Sequence, residues 1–128
     1  MPGIRAGVIT EAGGAHLPNY FSSLAQTEEV ASVALCDPSG GSETLARQAM
    51  GAKLTAVYKD AGEMLRQEKP KMALVTMEAL HSPPAIEAAL DAGCHVLSEK
   101  PGCVRVEDFE KSKAQVCPAS GLCWLSPR

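Results

Sequence analysis

Short apolar runs and amphipathic stretches alternate along this chain. Five runs are apolar and partly β-branched: Ile4 to Ile9, Val30 to Cys36, Leu54 to Val57, Met72 to Thr76 and His95 to Ser98. That length and composition predict buried strands. Between them the apolar positions recur at helical spacing. Leu17, Tyr20, Phe21 and Leu24 stand at i, i+3, i+4 and i+7, on one face of a helix, and read as core. Ser42 to Met50 carries Leu45 and Ala49 on one side, and Gly51 stops it. Asp60 to Gln67 turns Met64 and Leu65 inward, with Glu63, Arg66 and Glu68 on a solvated face. Pro83 and Pro84 suit a first helical turn, where missing N–H groups cost little. Ile86, Ala89 and Leu90 line the helix that follows, and Gly93 ends it. Val104 to Val116 predicts one more helix, led by Glu107 and Asp108, which suit a helix N-terminus. Strands alternating with helices imply a parallel sheet with right-handed crossovers. The expected fold is α/β, a three-layer doubly wound sheet with the first strand beside the fourth.

In such sheets ligands gather at the carboxyl ends of the strands, so the segments after each strand carry the candidate chemistry. The first strand leads into Thr10-Glu11-Ala12-Gly13-Gly14-Ala15-His16. A dinucleotide site places G-x-G-x-x-G here, because glycines let the backbone approach a diphosphate at a helix N-terminus. Thr10 and Ala12 hold the first two glycine places, the loop is shortened before His16, and Glu11 adds a negative charge. Gly13 and Gly14 still permit a tight turn. Two readings stand: a modified phosphate loop, or a plain strand-to-helix turn with His16 as a capping or packed residue. The second strand ends in Asp37-Pro38, with Asp37 roughly 20 residues past the loop, where an acid bonds an adenosine ribose. An aspartate there accepts from both ribose hydroxyls and repels a 2′-phosphate, which favours NAD over NADP. The plain alternative is a turn-forming Asp-Pro. The fourth strand ends in Thr76-Met77-Glu78 with His81 beyond it, and Glu78 reads either as part of the site or as solvated.

The fifth strand is followed by Glu99-Lys100-Pro101. Opposite charges at the end of a buried strand are costly unless they meet a ligand or each other. The plain alternative is a solvated junction. Glu99-Lys100-Pro101 after Ala92-Gly93-Cys94-His95-Val96-Leu97 resembles the signature of the Gfo/Idh/MocA oxidoreductases, NAD(P)-dependent dehydrogenases of sugars, inositols and related polyols. Val33-Ala34-Leu35-Cys36-Asp37-Pro38, Tyr58-Lys59-Asp60, Thr76 and His81 follow in the family's order. The resemblance runs from about Ile4 to about Val116 and implies a Rossmann dinucleotide-binding domain over residues 1–116. By resemblance Lys100 assists proton transfer and contacts the nicotinamide end. The resemblance likewise sets Thr10, Ala12, Gly13, Gly14, His16, Asp37, Thr76, Met77, Glu78, His81 and Glu99 around the cofactor. Met77 and Glu78 depart from the family's usual Thr-Pro-Asn.

Composition narrows the partners. The chain has 128 residues, enough for one compact domain. Hydrophobic residues make up 45% but aromatics only 4%, so the core must be built from Ala, Val, Leu and Met. A net charge of −3 with no basic stripe argues against nucleic acid. No apolar run is long enough to span a bilayer, and no signal-peptide pattern leads the chain. The expected compartment is the cytoplasm. Cys36, Cys94, Cys103, Cys117 and Cys123 are odd in number and lack C-x-x-C spacing, so neither a disulfide framework nor a zinc site is expected. Cys36 and Cys94 read as small apolar fillers.

After Val116 the resemblance stops. Residues 117–128 carry Pro118, Gly121 and Pro127, which read poorly as a buried strand, although Leu122 to Leu125 suits a short one. One base out of frame, codons able to encode Gly121 to Leu125 can encode an apolar run, so a frameshifted or misjoined tail on a truncated domain is the expectation. Two functions follow. One is the nucleotide-binding domain of a sugar or polyol dehydrogenase, whose substrate is met only in a full-length enzyme; the resemblance leaves a homo-oligomer open. The other is a non-catalytic nucleotide-binding module, or an inactive fragment of such an enzyme.

Overall fold

The computed structural model describes residues 3–115 and the backbone of 124–125. Val116, Cys117, Cys123 and most of the 117–128 tail therefore lie outside the described residues. The elements follow in the order β1 (Ile4–Thr10), α1 (Leu17–Gln26), β2 (Val30–Cys36), α2 (Glu43–Met50), a 3-10 turn (Gly51–Lys53), β3 (Leu54–Tyr58), α3 (Ala61–Glu68), β4 (Met72–Thr76), α4 (Ser82–Asp91), β5 (His95–Ser98), α5 (Val106–Gln115) and β6 (Trp124–Leu125). Pairing moves some ends past their predicted limits. β1 runs on to Thr10 because it pairs with Thr76, and β3 runs on to Tyr58 because it pairs with Cys36. Ser42 and Asp60 precede their helices as N-cap residues, and the Asp60 side chain accepts from the Glu63 N–H at 2.8 Å.

The sheet has the order β3-β2-β1-β4-β5-β6. Its first five strands are parallel, so β1 lies beside β4 as predicted. The two-residue β6 adds antiparallel to β5, with Val96 opposite Leu125 and Leu97 opposite Trp124. Because successive strand residues face opposite sides, each central strand feeds two cores. Ala6, Val8, Leu35 and Leu74 pack under α1 and α2 with Leu17, Phe21, Ala46 and Met50. Ile9, Cys36, Val75 and Val96 pack under α3 and α4 with Met64, Leu65, Ile86, Ala89 and Leu90. Both faces are covered, which is why the central strands lack polar alternation. Phe21 is the one aromatic among the buried core residues described, as the composition requires.

The thiols of Cys36 and Cys94 are buried as predicted. Burial, then the negative charges of Asp60 and Asp37, push Cys36 up to about 11, so it stays protonated and inert at neutral pH. α5 has no buried residue and leaves Phe109 and Val106 exposed. It is tied to α4 by Lys111 with Glu87 at 3.1 Å and by Gln115 with Asp91 at 2.7 Å. Among the described residues no helix is long and apolar enough to cross a membrane.

Candidate functional site

In a parallel sheet all carboxyl ends share one edge. Thr10 ends β1, Thr76 ends β4, Asp37 follows β2 and Lys100 follows β5, so the four stand along that edge. The order reverses between β1 and β4, since β2 continues one way and β4 and β5 the other. A crevice at such a switch point is where doubly wound sheets bind ligands.

The loop after β1 lies down over this point. Gly14 N–H donates to the Glu11 carbonyl at 3.0 Å, closing a turn in which Gly13 takes a φ of 80°. That positive φ is the third-position requirement of a type II turn. Two threonines hold the turn in place. The Thr10 hydroxyl donates to the Thr76 carbonyl at 2.8 Å, and the Thr76 hydroxyl donates to the Ala15 carbonyl at 2.8 Å. Both side chains are fully buried, so they act on the loop from beneath. Gly14 permits this approach: a Cβ there would stand 2.1 Å from Thr10 Oγ1 and 2.9 Å from the Thr76 carbonyl. Nothing lies within 4 Å of a Cβ at Gly13, so the outer side of the turn is open. Ala12 is exposed there.

His16 does not cap α1. It is exposed, takes a left-handed φ of 59° and makes no side-chain cap hydrogen bond. Pro18 sits in the first turn of α1 and there is no acid in that turn. A proline removes one of the N–H donors that a helix N-terminus offers an anion.

Glu11 turns away from the turn and crosses to the loop after β4. Its Oε1 accepts from the Glu78 N–H at 2.8 Å, and His81 Nδ1 stands 3.0 and 2.9 Å from its two oxygens. The hydrogen bond to Glu11, then the Glu11 charge, with Glu78 adding to both, raise the His81 pKa above its ordinary 6.5. Because the folded-state value is raised, the contribution of this pairing to stability is fully present below pH 6.5 and is lost as pH rises through the raised value. An NMR titration of the His81 ring should show a midpoint above 6.5 that moves down in Glu11→Gln. A midpoint unchanged by that substitution would contradict the pairing. Glu78 itself is exposed, and it is its backbone that joins the latch. Met77 packs against the α3–α4 core.

At the other end, the Glu99 N–H donates to the Val75 carbonyl at 2.8 Å, and the Tyr20 hydroxyl donates to Glu99 Oε2. Tyr20 packs against the core under α1 and α2 as its helical spacing predicts, but it is only half-buried and brings its hydroxyl to the Glu99-Lys100-Pro101 segment. A buried tyrosine ring still has to satisfy its O–H, and that is the signal the helical spacing hid. Lys100 is exposed, and the peptide bond to Pro101 is cis.

Asp37 is 1% exposed. Its Oδ1 accepts from the Ser39 N–H at 3.0 Å and the Ser39 hydroxyl at 2.6 Å. Its Oδ2 accepts from the Ser42 N–H at 2.9 Å and the Ser42 hydroxyl at 2.5 Å. Burial pushes the carboxyl up, but the hydrogen bonds from Ser39 and Ser42 together outweigh burial and hold it below its ordinary value. Neither serine was singled out from the sequence, although acceptance from residues two and five positions on is what an Asx turn running into a helix N-terminus uses. A separate cleft of about 210 Å³ lies between Leu80, Pro83, Pro84, Glu87, Arg105, Asp108 and Lys111. It contains none of the residues picked out along the strand ends.

The family model of the Gfo/Idh/MocA oxidoreductases, described as an oxidoreductase family with an NAD-binding Rossmann fold, matches residues 4–124. The chain belongs to this oxidoreductase family. It is an NAD-binding Rossmann domain of that family, and the match runs past Val116, where the sequence resemblance ends. No curated protein sequence matches the chain. Among solved structures it is similar to scyllo-inositol dehydrogenase from Lactobacillus casei with bound NAD(H) and scyllo-inositol, at 22% identity and a TM-score of 0.70, over 85% of this chain and 31% of that one. Myo-inositol 2-dehydrogenase from Lactobacillus plantarum gives 20% identity and 0.70 over 85% of this chain and 31% of that one. The WlbA dehydrogenase from Bordetella pertussis, in complex with NADH and UDP-GlcNAcA, gives 26% and 0.70 over 87% and 32%. The chain thus spans about a third of the length of these family structures.

Proposed function

We propose that this domain binds NAD, in preference to NADP, for a dehydrogenase acting on a sugar or polyol. The observation that carries the reading is the assembly of Thr10, Asp37, Thr76 and Lys100 along one carboxyl edge, across the switch point between β1 and β4. The diphosphate would lie over the open side of the Ala12–Gly13 turn, where exposed backbone and the α1 N-terminus face solvent. The adenosine ribose would meet the Asp37 turn, and the nicotinamide end would extend past the Thr76–His81 loop toward Lys100. When bound, such a cofactor supplies hydride exchange with the substrate carbon. The chain's own contribution would be position and proton movement. Glu99, fixed by Tyr20 and by the Val75 carbonyl, anchors the backbone that presents Lys100. The Lys100 ammonium would give or take the substrate's hydroxyl proton, a role typically worth about 10²–10⁴-fold in rate.

A sugar or polyol substrate is supported by the neighbours, whose structures hold scyllo-inositol and a UDP-sugar acid. The same reading places the protein in the cytoplasm. A second reading, nucleotide binding without turnover, is favoured by one observation. Pro18 removes a donor from the N-terminus of α1, so the diphosphate cradle is weaker than one with a full set of N–H groups.

Calorimetric titration of the chain with NAD and with NADP tests the proposal. Saturable NAD binding, at least about tenfold tighter than NADP, is expected, since a buried carboxylate with no paired cation repels a 2′-phosphate. Tighter binding of NADP, or no binding of either, would overturn it.

A further inference from the structure

The acid set against the ribose is already saturated. An ionised carboxylate offers about four lone-pair sites. Ser39 N–H and Oγ take the two on Asp37 Oδ1, and Ser42 N–H and Oγ take the two on Oδ2. A ribose hydroxyl cannot donate to Asp37 until one of these donors leaves. Backbone donors cannot leave without unwinding the turn. Of the two hydroxyls, that of Ser42 is buried at the start of α2, away from the water that would receive it. Ser39 lies on the exposed outer side of the turn, where water can receive its hydroxyl at once.

We propose that Ser39 is a specificity-determining residue for the dinucleotide, its hydroxyl holding the acceptor site on Asp37 that a ribose hydroxyl takes over on binding. This rests on the proposed binding of NAD at this edge. The exchange is donor for donor. A ribose hydroxyl replaces the serine hydroxyl and leaves Asp37 fully bonded. A 2′-phosphate presents acceptor oxygens and negative charge, so it cannot complete the exchange, and the serine stays in place against it. Ser39 thus sets a threshold that only a ribose with a free 2′-hydroxyl passes, and it lowers NAD affinity by the strength of the bond that must be broken.

Removing the Ser39 hydroxyl leaves the site oriented. Three of the four hydrogen bonds remain, from the Ser39 N–H at 3.0 Å, the Ser42 N–H at 2.9 Å and the Ser42 hydroxyl at 2.5 Å. The Gly41 N–H, which donates to Ser39 Oγ at 3.1 Å, lies at the exposed surface and turns to water.

The test is calorimetric titration of the 128-residue chain and its Ser39→Ala and Ser39→Thr variants with NAD and with NADP, each variant's fold checked by thermal unfolding. Ser39→Ala should bind NAD about tenfold more tightly, the order expected when a hydrogen bond to a charged acceptor no longer has to be broken. Its affinity for NADP should change less than about twofold, so the preference for NAD widens. Ser39→Thr keeps the hydroxyl and should restore the wild-type affinity. A purely structural Ser39 would instead weaken both ligands alike on truncation. NAD binding by Ser39→Ala that is no tighter than wild type, or an equal gain for NAD and NADP, would overturn the inference while leaving the NAD reading intact. Absence of saturable NAD binding by wild type and variants alike would overturn both.

Discussion

Asp37→Ala should lower the stability of the chain by about 2–6 kcal/mol and remove its NAD binding together. Two of the donors that Asp37 satisfies, the Ser42 N–H and hydroxyl, are buried with it. Each buried donor left without a partner costs about 1–3 kcal/mol. The Ser39 donors reach water and cost little. The loop between β2 and α2 loses its organising centre, so the ribose contact proposed for Asp37 should go at the same time. Acid should mimic the substitution. A carboxyl whose folded-state pKa is depressed contributes stability above its ordinary value of 3.8 and loses it as pH falls through the depressed value. Wild type should therefore lose this contribution below about pH 4, while Asp37→Ala, already without it, should be flatter there. Urea unfolding at pH 7 and at pH 3 measures both effects. A loss under about 0.5 kcal/mol at pH 7, the range of an ordinary surface change, would mean that the Asp37 network is not formed in solution.

Gly14→Ala should cost about 1–3 kcal/mol, near the upper end, and weaken NAD binding by tenfold or more. The cost is one of overpacking. The added methyl would stand 2.1 Å from the Thr10 hydroxyl and 2.9 Å from the Thr76 carbonyl. Thr10 is buried and β-branched, with few other rotamers, and the carbonyl belongs to a paired strand. Neither can yield, so the turn must lift, breaking the bond that ties Thr76 to Ala15 and exposing the crevice. Gly13→Ala is the control. Its methyl meets nothing within 4 Å, but the residue has a φ of 80°, so it bears only the left-handed backbone penalty of about 1–2 kcal/mol. Thermal unfolding and NAD titration of both variants separate the two terms. Equal effects on binding would show that the depth of the turn is irrelevant to the ligand.

Much of the scaffold was legible because its signals are local and repetitive. The β-branched runs and the i, i+3, i+4 spacings need only a window of the chain, and all five parallel strands lie within a residue of their predicted ends. The order of the strands followed from their alternation with helices, because right-handed crossovers leave few other topologies. Asp37, Thr76 and Lys100 stand out in the sequence for the same reason: each lies at, or within two residues of, the end of a recognisable strand.

The partners of those residues were not legible. Glu11 was seen as an unwelcome charge near a phosphate loop, yet 70 residues along the chain His81 meets it. The helical spacing of Tyr20 says nothing of its hydroxyl, and only the folded chain brings it to Glu99. For His16 the sequence leaves open a place at the cofactor loop or a capping or packed role, and the structure shows it exposed with no side-chain cap hydrogen bond.

By itself, then, the sequence determined the alternation of elements, the composition of a core poor in aromatics, and the edge of the sheet on which the candidate residues stand. These depend on hydrophobic periodicity, which any short stretch displays. Only the tertiary structure decided that Thr10 and Thr76 lie buried beneath the loop, that Glu11 closes onto His81, and that Asp37 is saturated by two serines. Hydrogen bonds act over about 3 Å and depend on direction, so which donor meets which acceptor is set only when distant strands and helices have packed.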